Sequence, residues 1–166
     1  MNAQTVKPFL KWAGGKTQLL NDIEKIFPYH KNYKFTYIEP FIGSGAVLFW
    51  VLSNFPNLKS VIINDINEDL INSYRTIKNN TSELIAILER YEYEYHYLSN
   101  NEYKKKDYYY EKRKNFNERN SDKVIQTALF IFLNRTCFNG FKVSYPQKYP
   151  YLRCFPLFFH WLCHAF

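Results

Sequence analysis

Cysteine is scarce and poorly placed for a cross-linking or metal role. The 166 residues hold three, Cys137, Cys154 and Cys163. The number is odd, the spacings are unmatched, and no Cys-x-x-Cys pair suggests zinc or a redox couple. Free thiols in a reducing compartment are expected. No run approaches the 18 apolar residues of a membrane span, and residues 1–8 lack the apolar core of a signal peptide. A cytoplasmic protein is the expectation from both absences. Negative charge is in the minority, with 15 Asp and Glu against 22 Lys and Arg, a net +7. A polyanion, nucleic acid first, is the expected partner, although net charge reports attraction and not fold. The length suits one domain with a real core, or part of one.

The chain is organised around Tyr37-Ile38-Glu39-Pro40-Phe41-Ile42-Gly43-Ser44-Gly45 and the apolar run 46–52 behind it. Thr36, Tyr37 and Ile38 are strand formers, Pro40 stops the ladder, and Gly43 and Gly45 interrupt an apolar stretch before a helical pattern. Strand, glycine turn and helix in that order belong to a parallel α/β sheet. At the carboxyl end of such a strand, glycines let a ligand approach the backbone and the helix start offers amide N–H groups, which suits a nucleotide-like ligand. The third glycine of a full dinucleotide fingerprint is absent, and two such glycines alone are more often only a turn. Val61-Ile62-Ile63-Asn64-Asp65 adds weight, because Asp65 lies 26 positions after Glu39. That is the length of a strand, a crossover helix and a second strand, so Asp65 should sit at the strand tip beside the glycine turn, where a carboxylate can hold ribose hydroxyls. Asp65 could instead open the next helix, but Asn67 is the better cap, with Leu70, Ile71, Tyr74 and Ile77 forming one apolar face after it.

Upstream, Phe9-Leu10-Lys11-Trp12-Ala13-Gly14-Gly15-Lys16-Thr17 precedes a helix carrying Leu19, Leu20, Ile23 and Ile26, ended by Phe27-Pro28. Amides and an ammonium at a helix start attract a carboxylate or phosphate. A nucleoside triphosphate loop would need glycine where Leu10 stands and a strand leading in, so a small ATPase is a weaker alternative. Downstream, Leu84, Ile87, Leu88, Tyr91, Tyr95 and Leu98 recur at three- and four-residue steps, which makes 82–98 a helix despite the local alternation Tyr-Glu-Tyr-Glu-Tyr. Between Asn101 and Asn120, Lys104, Lys105, Lys106, Lys112, Arg113, Lys114 and Arg119 interleave with Tyr103, Tyr108, Tyr109, Tyr110 and Phe116. Such a stretch can track phosphates and stack on bases, or be a solvated helix whose tyrosines pack inward. If Lys104, Lys105 and Lys106 bind phosphates, changing all three should reduce the salt slope of DNA binding. Val124 to Leu133 is an apolar helix with Ile125, Leu129 and Phe132 on one face.

Four segments together resemble the Dam-type DNA adenine methyltransferases: Phe-Leu-Lys-Trp-Ala-Gly-Gly-Lys at 9–16, Glu-Pro-Phe-Ile-Gly-Ser-Gly at 39–45, Asn-Asp-Ile-Asn-Glu-Asp-Leu-Ile at 64–71, and Asn134-Arg135-Thr136-Cys137-Phe138-Asn139-Gly140. The resemblance covers about residues 7 to 140. It implies S-adenosylmethionine as cofactor, with Trp12 and Lys16 at contacting positions, Asp65 on the ribose, and Gly43 and Gly45 giving the cofactor room beside the backbone. It also implies double-stranded DNA as substrate, with Arg135, Asn139 and Lys142 as candidate DNA-binding residues, and a possible restriction endonuclease partner in the same system. The implied fold is a Rossmann-like α/β methyltransferase, incomplete here: residues 1–80 would be the N-terminal part of the cofactor-binding domain, and 81–145 a partial, mainly helical target-recognition region.

In the resembling enzymes a later Asp-Pro-Pro-Tyr receives a flipped adenine: its carboxylate and a proline carbonyl accept hydrogen bonds from the exocyclic amine, and its ring stacks on the base. No Pro-Pro dipeptide occurs in the 166 residues, so no catalytic residue is assigned. Residues 146–166 hold two cysteines, two histidines and almost no charge. His160, Cys163 and His164 fit no standard metal spacing, and a shifted reading frame accounts better for the composition. The expectation is an inactive fragment of an adenine methyltransferase. A non-catalytic DNA-binding remnant is the alternative.

Overall fold

The computed structural model describes residues 8–12, 14–98 and 101–137. They fall into two compact units that divide between residues 68 and 69.

The first unit is built on a βαβ element. Strand β1 (Thr36–Glu39) pairs in parallel with β2 (Ser60–Ile63), with Thr36 opposite Ser60 and Glu39 opposite Ile63. Helix α2 (Ala46–Asn54) is the crossover. Parallel strands cannot be joined by a tight turn, so the helix between them is required by topology. Among the described residues the sheet has these two strands. A 3-10 turn (Lys16–Leu19) runs into a short helix α1 (Leu20–Ile26). The core is aromatic: Phe35, Val47, Trp50, Val51 and Phe55 are buried together, with Leu20, Ile23, Phe27, Tyr37 and Leu58 packed around them. Phe27, one residue past α1, lies 5.1 Å from Trp50 and 4.9 Å from Phe55 between ring centres. The helix-ending residue is therefore also a core residue. The pattern expected for α1 is half right: Leu20 and Ile23 pack inward, whereas Leu19 and Ile26 are 53% and 80% exposed. Leu19 belongs to the 3-10 turn, whose tighter winding takes it off the α-helical stripe, and at the other end Phe27, not Ile26, packs against the core.

The second unit is helical: α3 (Glu68–Asn79), α4 (Thr81–Tyr97), α5 (Glu102–Glu118) and α6 (Lys123–Thr136). Of the face expected for α3, Leu70, Tyr74 and Ile77 are buried and Ile71 is only partly so, while Ser73 and Thr76 are buried as well. It is tied to α6 by Asn72 Nδ2, which donates to Lys123 O and Thr127 Oγ1, both at 3.0 Å. In α4 the tyrosine run resolves at four-residue spacing, with Tyr91 and Tyr95 buried and Tyr93 and Tyr97 exposed. Helix α6 starts cleanly because Asp122 accepts the N–H of Val124 at 2.8 Å and of Ile125 at 2.9 Å. Its interior is not one-sided: residues from Gln126 to Asn134 are all buried. A helix buried on all sides belongs at the centre of its unit, packed against α4 and α5.

Candidate functional site

Three segments of the first unit meet in a cleft of about 170 Å³. The first is the loop carrying Trp12, Gly14, Gly15 and Lys16, the second is the turn from Phe41 to Ser44, and the third is Asp65 just past β2. The parallel register produces this meeting: with Glu39 opposite Ile63, the residues after both strands emerge at the same end of the sheet. Ile42 N–H bonds Asn64 O at 3.0 Å and Asn64 N–H bonds Glu39 O at 2.9 Å, extending the pairing past the strands.

Asp65 holds the turn in place. Its Oδ2 accepts the Gly43 N–H and its Oδ1 the Asn67 N–H, each at 3.0 Å. Asp65 therefore lies beside the glycine turn as its spacing from Glu39 predicts, and it is already engaged with backbone amides. Each carboxylate oxygen retains a further lone pair for a ligand hydroxyl. Gly43 has φ +52°, and a Cβ there would lie 3.4 Å from Trp12 Cδ1. Glycine at this position lets the indole lie against the turn.

Lys16 reaches back to β1. Its Nζ donates to Glu39 Oε1 at 3.3 Å and to Phe41 O at 3.2 Å, while Glu39 Oε2 accepts the Tyr37 hydroxyl at 2.9 Å. Glu39 is buried and the Lys16 side chain is 43% exposed. The ammonium thus neutralises a buried carboxylate through one N–H, gives a second to the Phe41 carbonyl and retains a third for an anion. Burial, and next the charge of Glu39, push the Tyr37 hydroxyl pKa above the ordinary tyrosine value, so it serves as a donor. Phe41, which lines the cleft, is 75% exposed.

Trp12, Lys16, Gly43 and Asp65 are thus brought together, and Gly45 is not. Gly45 is buried behind the cleft with φ +75°, where it caps α2 and donates its N–H to Ile42 O at 2.9 Å. Its glycine identity answers to the left-handed backbone. Glu39, Phe41 and Ser44 belong to the site and were not singled out by sequence reasoning. Nothing local marks the Lys16–Glu39 pair, whose members lie 23 residues apart. In the second unit Arg135 lies near the end of α6, half-buried. Asn139 and Lys142 lie outside the described residues, as do His160, Cys163 and His164. Among the described residues no group of His, Cys, Asp or Glu could hold a metal ion, and no helix is long and apolar enough to cross a membrane.

Residues 12–149 match the D12 class N6 adenine-specific DNA methyltransferases. The chain belongs to this family. It is 50% identical over 140 residues to the type II methyltransferase M.MjaIII of Methanocaldococcus jannaschii, which covers 81% of this chain and 47% of that protein. It is 40% identical over 134 residues to a DNA adenine methylase of Haemophilus influenzae, covering 81% of this chain and 42% of the other. With the DNA N-6-adenine-methyltransferase of Escherichia phage P1 it shares 35% identity over 167 aligned positions, 93% of this chain and 19% of that one. The chain spans about half the length, or less, of the curated relatives it matches. The family match includes the cleft segments, from Trp12 through the glycine turn to Asp65.

Proposed function

We propose that the first unit binds S-adenosylmethionine in the cleft, and that the whole protein transfers a methyl group to the exocyclic amine of adenine in double-stranded DNA. The observation that carries this reading is the convergence of Trp12, Lys16, Gly43 and Asp65, from three separated segments, on one cleft. The donor set fits the cofactor part by part. Trp12 and the exposed Phe41 offer ring faces to an adenine. Asp65 has lone pairs for a ribose diol, and Lys16 has an N–H for the methionine carboxylate. When bound, S-adenosylmethionine supplies an electrophilic methyl group. The residues of this chain bind and orient it.

The βαβ unit is read as the first part of a Rossmann-like methyltransferase sheet. A restriction endonuclease of the same system belongs to this reading as a possible partner. The 166 residues contain no Asp-Pro-Pro-Tyr, so the chain by itself is proposed to bind cofactor without methylating DNA. Titration with S-adenosylmethionine tests the binding, with Asp65→Ala and Lys16→Ala each expected to weaken it about tenfold, as loss of a charge-assisted hydrogen bond would. Unchanged affinity in both variants contradicts the assignment. Methyl transfer by the purified chain alone would contradict the proposed division between binding and catalysis.

A further inference from the structure

Tyr37 and Glu39 stand two residues apart in β1, so the alternation of a strand turns both to the same face. Glu39 is buried, and Tyr37 packs against the aromatic core. Neither residue lines the cleft. Among the described residues the Glu39 carboxylate accepts two hydrogen bonds, one on each oxygen: Oε2 takes the Tyr37 hydroxyl at 2.9 Å and Oε1 takes the Lys16 ammonium at 3.3 Å. Of these three residues Lys16 alone reaches the cleft.

The two oxygens of Glu39 are thereby divided between two donors. With the hydroxyl in place, Oε2 makes no demand on Lys16, whose ammonium serves Oε1 and, at 3.2 Å, Phe41 O, and keeps its third N–H. Without the hydroxyl, Oε2 would be a charged acceptor buried and unsatisfied, which is costly. The donor already bound to that carboxylate is Lys16. An ammonium on a flexible stem turns its N–H groups readily, so the third N–H would turn to Oε2 and be lost to the cleft.

We propose that Tyr37 is a positioning residue of the cleft: by occupying Oε2 of Glu39 it leaves the third N–H of Lys16 free for the carboxylate of an amino-acid ligand. The proposal rests on the reading that the cleft binds S-adenosylmethionine and deepens it, because recognition of the carboxylate then depends on a hydroxyl outside the cleft. The consequence is selective. A ligand with the same adenosine, sulfonium and ammonium groups but no carboxylate does not use that N–H, and its affinity is indifferent to Tyr37. Glu39 is the intermediary. With a neutral amide at position 39 no buried charge competes for Lys16, and the hydroxyl has nothing left to hold off.

The test titrates the full chain with S-adenosylmethionine and with its decarboxylated form by isothermal calorimetry. Four chains are compared: unaltered, Tyr37→Phe, Glu39→Gln and the double variant. Tyr37→Phe keeps the ring in the core, and thermal melts set a temperature at which all four are folded. Tyr37→Phe should weaken S-adenosylmethionine about fivefold, as the loss of one hydrogen bond would, and change the decarboxylated ligand by less than about twofold. In the Glu39→Gln background the same substitution should change S-adenosylmethionine affinity by less than about twofold. Each comparison decides without the other, so a ligand or variant that binds too weakly to titrate does not stop the test. Unchanged S-adenosylmethionine affinity in Tyr37→Phe overturns the proposal and leaves the cofactor reading standing. An equal loss for both ligands, or in both backgrounds, also overturns it, since a general disturbance of the cleft acts in that way. If the unaltered chain does not bind S-adenosylmethionine, the cofactor reading fails and this proposal with it.

Discussion

Replacing Lys16 by methionine removes an ammonium from a buried carboxylate while keeping most of the side-chain volume. Glu39, 5% exposed, would retain the Tyr37 hydroxyl on Oε2 and lose its partner on Oε1. Breaking a fully buried ion pair costs about 3–5 kcal/mol. The Lys16 side chain is 43% exposed, so water reaches this pair and the cost falls to about 1–3 kcal/mol, the range for an acceptor left unsatisfied. Glu39→Gln alone keeps an oxygen for Lys16 and an amide for the Tyr37 oxygen, and should cost about 1 kcal/mol. In the double variant no charge is left buried, so its stability should match or exceed that of Lys16→Met alone. The coupling energy should then be at least about 1 kcal/mol. Urea denaturation followed by tryptophan fluorescence measures all four corners of the cycle. Single-variant effects that add to within about 0.3–0.5 kcal/mol would refute the claim that Lys16 neutralises Glu39. Cofactor affinities of Lys16 variants should accordingly be compared at temperatures where each is folded.

Gly43→Ala should lose roughly 1–2 kcal/mol from the left-handed backbone alone and disturb Trp12, whose ring a new methyl would touch at 3.4 Å; unaltered stability and emission would contradict the packing. Tyr37 and Tyr108 both have raised pKa values, each chiefly through burial and then through its carboxylate partner, Glu39 or Glu94. A raised folded-state value means that their contribution is complete below about pH 10, where unfolded tyrosine ionises, and is lost as pH rises beyond it. The denaturation midpoint should therefore fall more steeply as pH rises above about 10 for the unaltered chain than for Tyr37→Phe; parallel curves would show that Tyr37 is not the linked group. Arg119 adopts φ 56° after α5, binds Asp69 through Nη2 at 2.9 Å and lies 4.1 Å over the Phe116 ring. Arg119→Gly should cost less than Arg119→Ala, because glycine relieves the backbone while both lose the ion pair; the reverse order in thermal melts would place the larger effect elsewhere.

The features legible in the sequence are those with a local period or a forced topology. Strand formers before Pro40, glycines before an apolar run, and 26 residues from Glu39 to Asp65 sufficed to place the turn and the carboxylate side by side. The tyrosine run of α4 yielded to its four-residue spacing. What was not legible depended on partners distant in sequence. Leu19 and Ile26 fit an α-helical stripe, but the 3-10 turn and the aromatic cluster around Phe27 select Leu20 and Ile23 instead. Lys112 reads as a surface cation until Tyr91 and Tyr108 are both found beside it. Gly45 does not line the cleft but caps α2, and a glycine motif alone does not say which glycine a ligand meets and which only the backbone needs.

The most direct test of the central claim is ultraviolet crosslinking of labelled S-adenosylmethionine to the purified chain, followed by peptide mapping. An adduct is expected within residues 9–17 or 39–45, reduced in Lys16→Ala and Asp65→Ala under conditions where both remain folded. An adduct confined to the second unit, or labelling unaffected by both substitutions, would contradict the assignment of the cleft as the cofactor site.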